Sequence, residues 1–172
     1  MIIREAQKED SLSIAKVQVD SNRTTYKGIM TEDYLNSLSY ESKANDWDVK
    51  LFHEDSKEFA YVAEADNAQI VGFATVSLIR THDLFEREIY TIYILKEFQR
   101  KGIGKQLIQA IITQFIENNI KTIILWTLLD NPARLFYEHL GGEIVDKRII
   151  QRGGKELQQV AYGWQDITQI LY

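Results

Sequence analysis

The run Thr122–Leu129, Thr-Ile-Ile-Leu-Trp-Thr-Leu-Leu, is almost wholly apolar. A strand of that composition has no face to turn to water, so it belongs inside a sheet covered on both sides. The flanking chain must then supply the covering helices. Before the run, Leu107, Ile111 and Phe115 recur at helical spacing on a face widened by Ile108 and Ile112. After it, Asn131 is placed to cap a helix with Pro132 at its first position, ending at Gly141–Gly142. Glu88–Leu95, rich in isoleucine and tyrosine, reads as the strand that precedes this unit. Strand, helix and strand in that order predict a βαβ crossover.

The rest of the chain fits around this centre. Ile2–Ala6 reads as a first strand, and Asp10 or Ser11 as the cap of a helix carrying Leu12, Ala15 and Val19. Gly28 closes that region. Thr31 caps a short helix with Leu35 and Leu38, and Tyr40, Ala44, Trp47 and Leu51 form a third helical stripe. Phe59–Ala65 and Ile70–Ile79 flank a polar turn at Asp66–Asn67 and predict an antiparallel hairpin. Ile144–Ile150 and Leu157–Trp164 predict a second hairpin around Gly153–Gly154. The order is β, helices, βββ, α, β, α, ββ. It implies an α/β (α+β) fold, a mixed sheet with helices on both faces.

At 172 residues, 45% of them apolar and 26% charged, the chain suits a single domain over 1–172, and no linker or repeat divides it. Cysteine is absent, which excludes disulfides and any cysteine nucleophile or ligand. The start, Met-Ile-Ile-Arg-Glu, lacks the pattern of a signal peptide, and the expectation is a cytoplasmic protein. No stretch approaches the ~20 apolar residues of a membrane helix. The net charge of −5 argues against nucleic-acid binding and is compatible with amine substrates. The three histidines, His53, His82 and His139, show no metal-ligand spacing, so no metal is expected.

Gln99-Arg100-Lys101-Gly102-Ile103-Gly104 lies between the strand at 88–95 and the helix after it. A helix N-terminus presents free N–H groups and the positive end of a dipole. Gly102 and Gly104 allow close approach of the backbone to an anion, and Arg100, Lys101 and Lys105 add positive charge. A nucleotide P-loop would need a Gly-Lys-Ser/Thr ending, which is missing. A dinucleotide fingerprint would need glycine where Leu107 stands. A diphosphate site and a plain glycine-rich helix entry with surface cations both remain.

Gln99–Gly104 resembles the Q/R-x-x-G-x-G/A motif of the GNAT superfamily of coenzyme A-dependent N-acetyltransferases. Glu88–Ile94 is similar to the fourth strand of that fold, and Asn131–Gly142 to its N-x-x-A-x-x-F-Y-x-x-x-G-F segment. Alanine follows Pro132 one place early, and Gly142 stands where the family has phenylalanine. The resemblance implies a mostly antiparallel mixed sheet whose fourth and fifth strands splay apart around the pantetheine arm of acetyl-CoA. It implies contacts from the backbone of Ile92, Tyr93 and Ile94 to that arm, with an N–H near Ile92 on the thioester carbonyl. The pyrophosphate would fall on Gln99, Arg100, Lys101, Gly102, Ile103, Gly104 and Lys105, and Asn131 would add a contact beside its capping role.

The same resemblance puts Glu88 where several members carry a catalytic glutamate, and Tyr137 where a tyrosine hydroxyl faces the coenzyme A sulfur. Without it, Glu88 reads equally as one of the charges Asp83, Glu86 and Arg87 at a strand entrance, and Tyr137 as a core tyrosine. Trp126 reads as a core residue of its strand, and Tyr26 and Tyr34 as overhanging an acceptor cleft. The activity implied is acetyl transfer from acetyl-CoA to a primary amine by direct attack in a ternary complex. The alternatives are a non-catalytic coenzyme A-binding regulator and a longer-chain acyltransferase. The acceptor is a small-molecule or peptide amine, and the C-terminal strands or a sheet edge would carry a homodimer.

Overall fold

A computed structural model describes residues 1–171, so the final position of the range 1–172 lies outside the described residues. Seven strands form one sheet: β1 (Ile2–Glu5), β2 (Glu58–Glu64), β3 (Ile70–Ser77), β4 (Arg87–Ile94), β5 (Ile123–Leu128), β6 (Glu143–Arg152) and β7 (Lys155–Trp164). Their spatial order is β1-β2-β3-β4-β5-β7-β6. Every pairing is antiparallel except β4 with β5, which run parallel because α4 (Ile103–Glu117) carries the chain back between them. This is the mixed, mostly antiparallel sheet expected.

Helices cover both faces. The N-terminal set is α1 (Ser11–Thr25), α2 (Glu32–Ser37) and α3 (Tyr40–Phe52). On one face Ile14, Ala15, Val17, Trp47 and Leu51 pack on Ala60, Val62 and Phe73. On the other, Leu107, Ile108, Ile111, Ile112 and Phe115 of α4 pack on Ala63, Val71, Ala74 and Val76. Strand β3 is buried along its whole length, as a strand between two helix layers must be. The last helix, α5, spans Arg134–His139.

Several sequence expectations need correction. Leu12 points to solvent at 44% exposure, and the buried face of α1 is carried by Ile14, Ala15, Val17 and Val19. Asp10 does not cap α1 with its side chain: the carboxylate accepts from Gln7 N at 2.8 Å and from Arg4 Nη1 at 2.7 Å, holding β1 to the helix entry. Asn131 precedes α5 by a full turn of chain, because its Oδ1 accepts from Ala133 N at 2.9 Å and closes a tight turn first; Pro132 belongs to that turn. Strand β3 stops at Ser77, leaving Leu78 and Ile79 exposed.

The β4–β5 contact is short. Only Arg87, Glu88 and Ile89 pair with Ile123, Ile124 and Leu125, and beyond them the two strands have no register. Glu86 fastens the paired end. Its Oε2 accepts from Lys121 N at 2.6 Å and Thr122 N at 3.0 Å, while its own N–H donates to Thr122 Oγ1 at 3.0 Å. The hydrogen bonds from Lys121 and Thr122 hold its carboxyl below the usual carboxylate range.

The glycine at 142 has a structural reason. A Cβ there would stand 2.6 Å from Cζ2 of Trp164, whose indole fills the space and donates from Nε1 to Leu140 O at 2.9 Å. Gly163 is equally confined: a Cβ would lie 2.5 Å from Cζ of the fully buried Phe85.

Two outcomes are expected. Glu86→Ala should lower unfolding free energy at neutral pH by about 1 kcal/mol, a hydrogen-bonded charge discounted for exposure. Because the folded-state pKa is depressed, this contribution is present above the ordinary carboxylate value and lost as pH falls through the lowered one. Urea titrations at pH 7 and pH 3 should therefore show a smaller gap between the variant and the parent at pH 3 than at pH 7. Gly163→Ala should cost about 1–3 kcal/mol by overpacking. Adding Phe85→Leu should recover part of that loss in the same titration; no recovery would place the strain elsewhere.

Candidate active site

Where β4 and β5 diverge, a cleft of about 350 Å³ opens on the side covered by the N-terminal helices. It gathers residues far apart in sequence: Gln18 and Asn22 from α1 with Tyr26 at its end, Lys43, Trp47 and Lys50 from α3, and Glu88 and Tyr90 through Tyr93 from β4. Strand β5, the turn before α5 and the last hairpin close the other side. Of the residues singled out in sequence, Glu88, Ile92, Tyr93, Asn131 and Tyr137 line this one cleft. Ile94 and Gln99–Lys105 lie beyond its lining, leading into α4.

Glu88 sits in the paired stretch, opposite Ile124, at the foot of the opening. Its N–H donates to Ser77 Oγ at 3.1 Å, and its Oε2 accepts from Thr81 Oγ1 at 2.6 Å. Burial pushes the carboxyl above its usual value, opposed by the Thr81 hydrogen bond and by the positive charge of Arg148. A half-buried carboxylate with a raised pKa that opens on a cleft is a stronger proton acceptor than an exposed one.

Tyr137 projects from α5 into the same cleft and is only 5% exposed. Its ring packs at 5.6 Å from Phe136 and 5.8 Å from Tyr162, while its hydroxyl bonds to no described residue. Burial, then the neighbouring phenols Tyr93 and Tyr162, raises its pKa well above that of a free phenol. The group therefore stays protonated, with a donor to spare. Asn131 is occupied structurally: Nδ2 donates to Thr127 Oγ1 at 3.0 Å and to Tyr26 Oη at 3.5 Å, tying α1 to the turn before α5.

The glycine loop has the features of an anion site. Gly102 takes a left-handed φ of 81° before α4 and contributes no side-chain cap, so the first N–H groups of the helix lack one. Arg100 also has positive φ, at 58°, and Lys101 Nζ lies 5.0 Å from the Phe98 ring centre. Gln99 Nε2 donates to Ile94 O at 3.0 Å, joining the loop to the end of β4. A Cβ on Gly104 would stand 3.2 Å from Phe136 Cζ, so the loop also abuts α5. Ile103 is buried and anchors the helix start, whereas Arg100, Lys101 and Lys105 are exposed.

Sequence reasoning did not single out Asn22, Lys43, Lys50, Arg148, Arg152 or Gln159 for the cleft. They sit on helix faces and a hairpin whose polar residues look like ordinary solvated surface until the fold brings them together. Trp126, expected in the core, is half-buried and lines the cleft with the Arg148 guanidinium 4.0 Å from its ring centre. Tyr26 and Tyr34 do overhang the cleft. Tyr34 is held there by Gly153, where a Cβ would fall 2.7 Å from Tyr34 Cβ.

Comparison with known proteins bears on this geometry. The crystal structure of the PaiA N-acetyltransferase of Thermoplasma acidophilum in complex with coenzyme A shares the fold, with a TM-score of 0.70 over 92% of this chain and 96% of that one at 22% identity. An uncharacterized N-acetyltransferase of Bacillus subtilis (strain 168), YuaI, is 34% identical over 169 residues, 98% of this chain and 95% of that protein. The [ribosomal protein bS18]-alanine N-acetyltransferase of Haemophilus influenzae is 36% identical over 83 residues, 48% of this chain and 54% of that protein. Residues 21–142, which hold the splayed strands, the glycine loop and both candidate catalytic side chains, match the profile of the acetyltransferase (GNAT) family, and the chain belongs to that family.

Proposed function

We propose that this protein transfers an acetyl group from acetyl-coenzyme A to a primary amine by direct attack, with both substrates held in the cleft between β4 and β5. The observation that carries this reading is the junction of two features: strands that part after three paired residues, and a glycine-entered helix N-terminus just beyond. The β5 side of β4 past Ile89 is free of strand pairing, so the main chain around Ile92, Tyr93 and Ile94 can hold an extended amide-bearing arm by strand addition. Gly102, Ile103, Gly104 and Lys105 offer helix-start N–H groups to a diphosphate, with Gln99, Arg100 and Lys101 beside them. The donor supplies its acyl group as a thioester and releases a thiol.

The chain's own residues then divide the proton work. Glu88 accepts a proton from the acceptor ammonium, directly or through water, and its raised pKa brings it closer to the pH at which it must act. A backbone N–H near Ile92 meets the oxygen on which negative charge grows. The Tyr137 hydroxyl faces the departing sulfur. A thiol has a pKa near ~8.5, whereas this phenol is raised above its ordinary ~10, so complete transfer of its proton would run uphill. Its contribution is accordingly a hydrogen bond that stabilises the developing thiolate, and solvent supplies the proton afterwards.

Thiol release with acetyl-coenzyme A and a panel of primary amines tests the activity itself. Coenzyme A binding without release for any amine would favour a non-catalytic binding protein on this fold. Glu88→Gln should lower kcat by about 10²–10⁴-fold near neutral pH and recover as pH rises and the free amine becomes abundant. An unchanged pH profile would remove Glu88 as the base. Tyr137→Phe should lower kcat by about tenfold or more, the worth of one hydrogen bond to a developing charge, while leaving the unfolding midpoint nearly unchanged because the hydroxyl has no described protein partner.

A further inference from the structure

The chain as a whole carries a net charge of −5, yet this cleft is cationic. Lys43, Lys50, Arg148 and Arg152 line it, against the single carboxylate Glu88. Among the described residues, no carboxylate forms an ion pair with Lys50, Arg148 or Arg152; Lys43 alone is engaged, with Asp46 at 3.2 Å. Three cations without an ion pair against one lining carboxylate leave this opening positive in a chain that is acidic overall, with Glu58 near enough to Lys50 to feel its charge.

Arg148 is held in position. Its guanidinium stacks over Trp126 at 4.0 Å, and its Nε donates to Gln159 Oε1 at 2.7 Å. Those two contacts fix the plane of the fork and leave both terminal nitrogens without a described partner, the arrangement that receives an oxyanion with two parallel hydrogen bonds. Lys50 stands over the Trp47 ring at 5.2 Å on the opposite wall. A second feature points the same way. Asn22, 6% exposed and part of the lining, has a buried Oδ1 with no hydrogen-bond partner. A buried amide oxygen left open costs free energy unless something donates to it, and an ammonium or amine N–H does so.

These cations do not belong to the proposed diphosphate site. They rise from α3 and β6, whereas the loop that leads into α4 contributes nothing to the cleft lining. Resting on the reading of this cleft as the acetyl-transfer site, we infer that the acceptor is a small primary amine that also carries an oxyanion, a carboxylate or a phosphate. Arg148 and Arg152 receive the anion, and Asn22 and Glu88 receive the amine. The attraction that a net-negative protein would exert on polycationic acceptors is thereby reversed at the point of entry.

Matched amines decide the matter. Thiol release is measured with L-glutamate against its diamide, with phosphoethanolamine against ethanolamine, and with spermidine. At least a tenfold advantage in kcat/KM for the anionic member is expected, and the pair showing the larger ratio separates carboxylate from phosphate. Arg148→Gln and Arg152→Gln, both at exposed positions, should erase that advantage through the acceptor KM while leaving the KM for acetyl-coenzyme A within about twofold. A preference for ethanolamine, the diamide or spermidine would overturn the inference without touching acetyl transfer. So would a rise confined to the KM for acetyl-coenzyme A, since the arginines would then serve the donor. If no amine is acetylated, acetyl transfer is in question, but the cleft can still be read. Tryptophan fluorescence of the coenzyme A-loaded protein is titrated with glutarate and with inorganic phosphate. A saturable change weakened tenfold in Arg148→Gln upholds the oxyanion site, and no change with either probe refutes it.

Discussion

The Glu86 carboxylate is the fastening on which the rest of the cleft depends. By receiving the N–H groups of Lys121 and Thr122, it locks the start of β5 to the start of β4, and α4 fixes how far the chain travels between them. A parallel pair tied at one end and unpaired at the other makes a wedge rather than a flat sheet. The wedge sets where Glu88 looks out, how much of the β4 backbone lies bare, and how Tyr137 on α5 comes to face it. Extending the pairing along both strands would close the opening and leave the same side chains as ordinary core.

The two walls of the wedge follow different physical rules. The inner wall is the main chain of β4, and its groups are available because regular strand pairing ends at Ile89. The outer wall is side chain, drawn from α1, α3 and the β6–β7 hairpin, and is charged. The hairpin is held over the N-terminal helices by contact of Gly153 with Tyr34 and by Lys155, whose Nζ donates to Ile29 O at 2.8 Å. A half built from backbone tolerates wide sequence change, whereas a half built from side chains does not, and on the proposed reading it is the second half that would carry acceptor specificity.

This division explains what was legible in the sequence. The buried run at Thr122–Leu129, the amphipathic stripe of α4 and the glycines of the loop are local patterns with local causes, and they yielded the sheet, the crossover and a candidate anion site. The family resemblance alone turned that into an expected coenzyme A site. Glu88 and Tyr137 were singled out only through likeness to a family, because a carboxylate at a strand entrance and a tyrosine on a helix carry no signal of their own. Arg148, Arg152, Lys50 and Asn22 could not be singled out at all. Their chemistry arises from convergence of three separate elements, and each looks like surface, or like a helix interior, when read along the chain. Asn131 and Asp10 show the limit at finer scale: both are residues that favour helix caps, but the Asn131 oxygen closes a local turn with Ala133 and the Asp10 carboxylate pairs with Arg4 of β1.

The glycine at 142 shows how such a fold exchanges one part for another. Where the family motif has an aromatic residue within its own segment this chain has glycine, and the indole of Trp164, at the end of the last strand, occupies the space beside it. The space beside the Tyr137 carbonyl is therefore filled from the end of the last strand rather than from the adjacent turn. Positions 142 and 164 form a single volume shared between two sites, so a chain that regains a bulky residue at one must shed it at the other. Restoring an aromatic residue at 142 in this chain therefore calls for a smaller one at 164.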